Sequence, residues 1–431
     1  MIDQNRKKYY NEQSSAYLTH VTKTSFAEDE NSMKSEEGVR IGTLSSVYVP
    51  DDDNNIVEAT YYFDDYKLVI DKEGCELLNK CVQQIYKSFR EITDLPTIQK
   101  TVFDWVFMSK EEKIDTPLCD YIEAKVQENM ALFKCYFKIP FVSMPKDKCL
   151  NIAGVKIAYL SPETKSLLAN SIESLHSSEY DDFVFASVEV EGNKNSVQNV
   201  ALERAKFAID ILKINTTLRF AYHPLLASIG IEQSYQNSFR PLTITVNSES
   251  YNAFIQQEIF GHKYPIDSKF LDMLRHSEYR FMTSFYEEYL KHKPTSLEKV
   301  IKRSISKFSQ AISTSDTMEH IVSLCSIMDS IILPDNSAGI KESLKQYIPY
   351  LITKPGNSRE HIKDNINKVY EIRSKYIHHG GYSNVSNQEL AEYNYIVYSL
   401  IVRLIDLRTK FHSVKELQDY IDGTIANINF F

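Results

Sequence analysis

The sequence predicts an α+β protein: a mixed α/β N-terminal region followed by an all-α helical bundle. Three observations lead there. Residues 40–70 and 182–192 alternate in the manner of strands and are rich in Val, Ile, Tyr and Phe. Beyond about residue 267 every segment has helical spacing instead. Near the C-terminus, Leu390, Val397, Leu404 and Phe411 fall seven apart, with Tyr393, Leu400 and Leu407 between them, an a/d seam that suggests a homodimer through the C-terminal helical domain. The expected organisation is a mixed region over 1–265, a helical connector over 266–295 and a helical domain over 296–431.

The elements follow in order. VRIGTLSSVYV, IVEATYYF and YKLVI read as strands, with the polar turn PDDDNN making a hairpin of the first two. CELLNKCVQQIYKSFREI (75–92) has helical spacing. KCYFKIPFVSM, VKIAYL and DFVFASVEVEG are further strands, NVALERAKFAIDILKI (199–214) is a helix, and LTITVN (242–247) is one more strand. A long amphipathic helix is expected over 269–290, broken by HKPTS. Thr295 or Ser296 can cap the next helix, with Glu298 in its first turn. Ser315–Asp316 opens another, which PDN ends. IKESLKQYIPYLI, a helix over about 359–379, the seam helix opened by Asn387, and a short helix over about 413–428 complete the bundle.

Composition sets the outer limits. The chain is 43% hydrophobic and 25% charged, as a globular protein with real cores would be. No apolar run reaches the roughly 20 residues that cross a bilayer, so no membrane partner is expected. MIDQNRKKYYNEQSS has basic residues without an apolar stretch behind them, unlike a secretory signal. The six cysteines show no CxxC pair and no zinc spacing, which points to reduced, mostly buried thiols and a cytoplasmic location. The net charge of −9 argues against a broadly basic surface. It is unevenly spread, however: residues 295–431 hold about 16 basic and about 15 acidic side chains, so roughly −10 falls on the rest. The C-terminal part is thus the freer to approach a phosphate backbone.

Most polar clusters have ordinary readings. Asp51–Asp53 reads as an acidic turn rather than a cation site, and 27–38 as an acidic loop. His262, His276 and His292 show no ligand spacing, and Cys75 and Cys81 read as core thiols. Neither metal nor cofactor is expected. There is no Walker A, G-x-G-x-x-G or G-x-S-x-G pattern to support nucleotide-driven or serine-hydrolase chemistry.

YEIRSKYIHHGG (370–381) is different. On a helical wheel Ile362, Ile366, Val369, Tyr370 and Ile377 share one stripe, and Arg373 falls at its centre. A guanidinium there is costly unless it is paired or faces a wet cleft. Gly380–Gly381 ends the helix and puts His378 and His379 in its last turn, where the dipole favours cations. Arg373 and His378 lie about 140° apart on a straight helix. They converge if the helix end loosens or if a second copy completes the site across a two-fold axis. The structural alternative is that Arg373 pairs with an acid such as Asp329 and the histidines are solvated cations.

Tyr370, Arg373, Ser374, Ile377, His378 or His379, and Gly380 stand on the fourth helix of a C-terminal helical unit, and a long helix follows. In this the last 130 or so residues resemble the HEPN superfamily, most closely its Apea-like branch of bacterial defence proteins. The N-terminal two-thirds carry no such resemblance. The resemblance implies a metal-independent, homodimeric endoribonuclease of the R-x4–6-H type, with RNA as substrate and abortive infection as the setting. Arg373, His378 and His379 would be catalytic, either histidine fitting the spacing; Ser374, Lys375 and Tyr376 would contact RNA. The N-terminal region would sense a protein or phage-derived trigger. Ser374 stands where active members often have Asn, Asp or His, which keeps open a second reading: an inactive HEPN module kept for dimerisation or for binding RNA or a partner.

Overall fold

The computed structural model describes residues 2–25, 46–50, 55–62, 66–139, 142–171, 183–215, 230, 243–246, 251–254, 264–275, 279–314, 316–332, 340–353 and 359–429. The acidic turn Asp51–Asp53, the acidic loop 27–38, His262, His276, Ser315 and the loops at 334–336 and 354–358 lie outside them. Two compact units are formed, one by residues 1–133 with 190–200 and the other by 134–189 with 201–431. The fold is α+β, as the sequence predicts: antiparallel sheets in the N-terminal half and helices in the C-terminal half.

The first unit contains α1 (Gln4–Thr19), β1 (Val21–Ser25), β2 (Ser46–Pro50), β3 (Ile56–Tyr62), β4 (Tyr66–Ile70), α2 (Lys72–Phe89), α3 (Leu95–Lys110) and α4 (Leu118–Glu128). The strands pair antiparallel in the order β1-β4-β3-β2, and α2 packs on β3. Asp71 and Asp94 start α2 and α3 by accepting from the Gly74 and Thr97 amides, each at 2.7 Å, which satisfies amides that the helix leaves open. Cys75 and Cys81 are buried thiols, as expected, and burial raises both to about 11. Among the described residues, α1, α3 and α4 are helices that the strand-and-turn pattern did not announce.

The second unit begins as a sheet. Its strands are β5 (Ala131–Ile139), β6 (Val142–Ser143), β7 (Leu150–Ile152), β8 (Val155–Tyr159) and β9 (Val184–Gly192), with β10 (Thr243–Val246), β11 (Tyr251–Phe254) and β12 (Tyr264–Pro265) further on. Six of them run in the order β11-β10-β5-β9-β8-β7, and β12 pairs with β6. Helices α5 (Pro162–Ser171) and α6 (Lys194–Ile214) flank β9 in sequence. Within the span expected as one helix, 269–290, the described residues form α7 (Ser268–Arg275) and α8 (Tyr279–Tyr289); 276–278 lie outside the described residues.

The bundle follows as α9 (Ser296–Ala311), α10 (Thr317–Ile332), α11 (Ile340–Ile352), α12 (Glu360–His379), α13 (Asn387–Leu407) and α14 (Val414–Asn429). Thr295 starts α9 with a reciprocal capping box to Glu298, and Ser386 does the same for α13 with Glu389. Asp316 accepts from the Met318 and Glu319 amides and so opens α10. The a/d seam is real but turned inward. Leu390, Tyr393, Val397, Leu400, Leu404 and Leu407 are all buried, packed against α8, α9, α10, α11 and α12 of the same chain. Phe411 lies beyond the end of α13 and stacks on Tyr420 of α14 at 5.1 Å. The seam therefore builds this chain's own core, and any dimer must use another surface.

One core position predicts an acid response. His320 on α10 is buried, and its Nε2 lies 2.7 Å from Asn394 Oδ1 on α13. With an amide oxygen as acceptor, Nε2 carries the proton and Nδ1 is left buried without a partner. Burial lowers this imidazole to about 4. The folded form thus binds fewer protons than the unfolded chain, whose histidine titrates near the usual 6.5. The stabilisation is complete above about pH 6.5 and is lost as pH falls toward 4, a loss of roughly 3 kcal/mol. Urea titrations at pH 7 and pH 4.5 should show a smaller acid loss for His320→Gln than for the parent chain. An equal loss in both would contradict this assignment.

Candidate active site at the end of helix α12

The motif lies on one unbroken helix. α12 stays α-helical through His379 and closes at Gly380, which adopts a left-handed conformation at φ 61°. The Gly380 amide donates to the Tyr376 carbonyl at 3.0 Å and the Gly381 amide to the Lys375 carbonyl at 3.3 Å, satisfying carbonyls that a helix end leaves open. A Cβ at Gly380 would meet no neighbour, so only the backbone conformation selects glycine there. Gly380→Ala is expected to cost about 1 kcal/mol and to fray the turn carrying both histidines. Chemical denaturation checks this; an unchanged midpoint would contradict it.

The apolar face of α12 is the predicted one in its first three turns. Ile366, Val369 and Tyr370 are buried in the bundle. Ile377 departs from expectation: it is 47% exposed, because the stripe runs off the bundle before the helix ends. Arg373 sits at that margin and is half-buried. Its Nε is buried without a hydrogen-bond partner, and Arg373 makes no salt bridge among the described residues. The pairing with Asp329 that the structural alternative requires is absent. Asp329 is nearby on α10, but Tyr370 takes it instead: the phenol donates to Asp329 Oδ1 and lies 3.2 Å from the Cys325 carbonyl.

The electrostatics around Arg373 are set by burial. Burial holds the Asp329 carboxyl above the usual carboxylate range, opposed by the Tyr370 hydrogen bond and by the charges of Arg373 and Lys307. Burial also pushes up the Tyr370 phenol and the Cys325 thiol, with the Arg373 charge opposing both. The Lys307 ammonium, on α9, is held 3.2 Å from Ser326 Oγ. Two cations thus act on a single reluctant acid.

The remaining motif residues point to water. Ser374, Lys375, His378 and His379 are exposed, and the two imidazoles meet edge to face at 6.4 Å. Tyr376 is partly exposed; its phenol donates to Glu319 Oε1 on α10 at 3.0 Å, which pushes it up to about 12. The charges along α12 are sorted. Near its start Lys363 pairs with Glu360 at 2.8 Å and His361 with Glu392 at 3.5 Å. From Arg373 onward, Arg373, Lys375, His378 and His379 make no ion pair among the described residues. Within one chain Arg373 turns toward α10 while the histidines face outward. The helix end does not loosen to bring them together.

Sequence reasoning named Arg373, both histidines, Tyr370 and Asp329. It did not single out Lys307, Cys325, Glu319 or Tyr382, whose relation to the motif exists only through packing of α9, α10 and the loop after α12. His292 is a surface residue as expected, 3.4 Å from Glu298. Among the described residues no group of three or more His, Cys, Asp and Glu could hold a metal ion, and no helix is long and apolar enough to cross a membrane. No family model, curated protein or solved structure matches the chain.

Proposed function

We propose that this chain is a HEPN-type endoribonuclease that cleaves RNA without a metal, acting as a homodimer in which Arg373 of one copy meets the histidines of the other. The observation that carries the reading is the run of four basic side chains on the last two turns of α12 that make no ion pair among the described residues, one of them with a buried, unsatisfied guanidinium nitrogen. Unpaired buried donors cost about 1–3 kcal/mol and persist where a ligand completes them.

The chemistry suits these groups. A neutral imidazole of His378 or His379 takes the proton from a ribose 2′-hydroxyl. The freed oxygen attacks the adjacent phosphorus, and the bond from phosphorus to the 5′-oxygen breaks. That oxygen receives a proton from the second imidazole or from water, giving a 2′,3′-cyclic phosphate and a 5′-hydroxyl. Arg373 holds the phosphate and stabilises the charge that builds on its oxygens in the transition state. Lys375 adds a phosphate contact and Ser374 a hydroxyl. An activity of this kind would serve abortive infection, with the N-terminal region restraining it until a trigger arrives.

The test is cleavage of RNA by the full chain in chelator, comparing wild type with Arg373→Ala and with the double variant His378→Ala/His379→Ala. Cleavage by wild type alone supports the reading; equal cleavage by all three ends it. A second reading, a non-cleaving RNA-binding module, is favoured by the divergence of Arg373 and the histidines within one chain. It predicts that RNA binds and stays intact.

A further inference from the structure

Tyr382 follows the glycine cap of α12 by two residues and is 75% exposed. A single exposed aromatic side chain means little by itself. This one is braced. Its ring meets Tyr376 edge to face, with centroids 5.6 Å apart and planes at 71°. Tyr376 is in turn tied through its phenol to Glu319 on α10, 3.0 Å away. Beside the pair stand Lys375 and the imidazoles of His378 and His379, none of them in an ion pair among the described residues. An anchored ring, a second ring largely in water, and a basic side chain in the same turn as the anchor are the parts from which single-stranded nucleic-acid sites are made: cations follow the backbone while bases stack on aromatic faces.

We infer that Tyr382 is a base-stacking platform that selects single-stranded RNA and holds the nucleotide next to the scissile phosphate. This rests on the ribonuclease reading and adds to it the class of RNA taken. Duplex RNA offers no free base face to such a ring, whereas loops and unpaired ends do. Tyr376 braces the platform and Lys375 contacts the backbone.

The experiment uses the full chain and an uncleavable 2′-O-methyl oligonucleotide carrying 2-aminopurine, whose fluorescence is quenched by stacking. Wild type and Tyr382→Phe should bind the single strand and quench it. Tyr382→Ala should bind about 5- to 100-fold more weakly and lose the quenching, since a phenyl stack is worth about that much. The dependence of binding on salt should be unchanged in Tyr382→Ala and shallower in Lys375→Ala, because only the lysine releases counterions. The same oligonucleotide in a duplex should bind more weakly than the single strand. If wild type binds and Tyr382→Ala matches it in affinity and quenching, or if duplex binds as tightly, the platform is overturned and the ribonuclease reading survives. If wild type binds no RNA, both fall.

Discussion

Arg373→Met should leave the protein as stable as wild type, or slightly more so, while metal-free RNA cleavage falls by about a hundred- to a thousandfold. The activity loss is the size expected when one donor to a developing oxyanion is removed. The stability result follows from the site. Arg373 makes no salt bridge among the described residues and leaves Nε buried without an acceptor. A guanidinium so placed contributes little to folding and costs about 1–3 kcal/mol of desolvation. Methionine fills the aliphatic space without that cost. One effect opposes the gain: the Arg373 charge favours the ionised form of Asp329, and its loss leaves that carboxyl less ionised. Tyr370 still donates to Asp329, so the acid keeps a partner. Arg373→Lys should recover only part of the activity, since an ammonium lacks the planar fork. Thermal melts and cleavage assays on the same preparations check both halves. A variant that unfolds, or that cleaves like wild type, would return Arg373 to a structural role.

Leu400→Ala should destabilise the chain by about 2–5 kcal/mol, the range for emptying a packed leucine site. Leu400 is fully buried at the middle of the α13 seam, between Val397 and Leu404, which are buried too. The seam packs on five helices of its own chain, so the loss falls on folding. Urea denaturation measures it. If the substitution instead left the unfolding midpoint in place and split a dimer into folded monomers, the seam would be an interface between copies.

Much of the bundle was legible because its signals are local. The capping box at Thr295, the opening of α10 at Asp316 and the left-handed Gly380 all fall where side-chain chemistry alone puts them, whereas α13 is capped by Ser386, one residue before the Asn387 expected from the sequence. The seam of α13 was readable as a pattern, but a heptad gives no sign of whether its partner is the same chain or another. The N-terminal helices were harder. In α1 the buried positions are Tyr10, Ser14 and Tyr17, amphipathic or polar residues that leave almost no apolar stripe. In α3 seven buried residues crowd sixteen positions, so the helix has no clean polar face to mark it. The site divides the same way. The arginine in an apolar stripe was visible on a wheel. That Tyr370 would claim Asp329, leaving Arg373 unpaired, depends on the approach of α10, which no spacing along α12 encodes. The prominence of Tyr382 likewise depends on its meeting Tyr376 across the glycine turn.

The end groups of the cleaved RNA test the central claim most directly. The full chain is incubated in chelator with an oligoribonucleotide, and with the same oligonucleotide bearing a single 2′-deoxy substitution 5′ of the cleaved bond. The account predicts a 2′,3′-cyclic phosphate and a 5′-hydroxyl from the first, and no cut at that bond in the second. Cleavage that ignores the missing hydroxyl, or an intact oligonucleotide in both reactions, would contradict it.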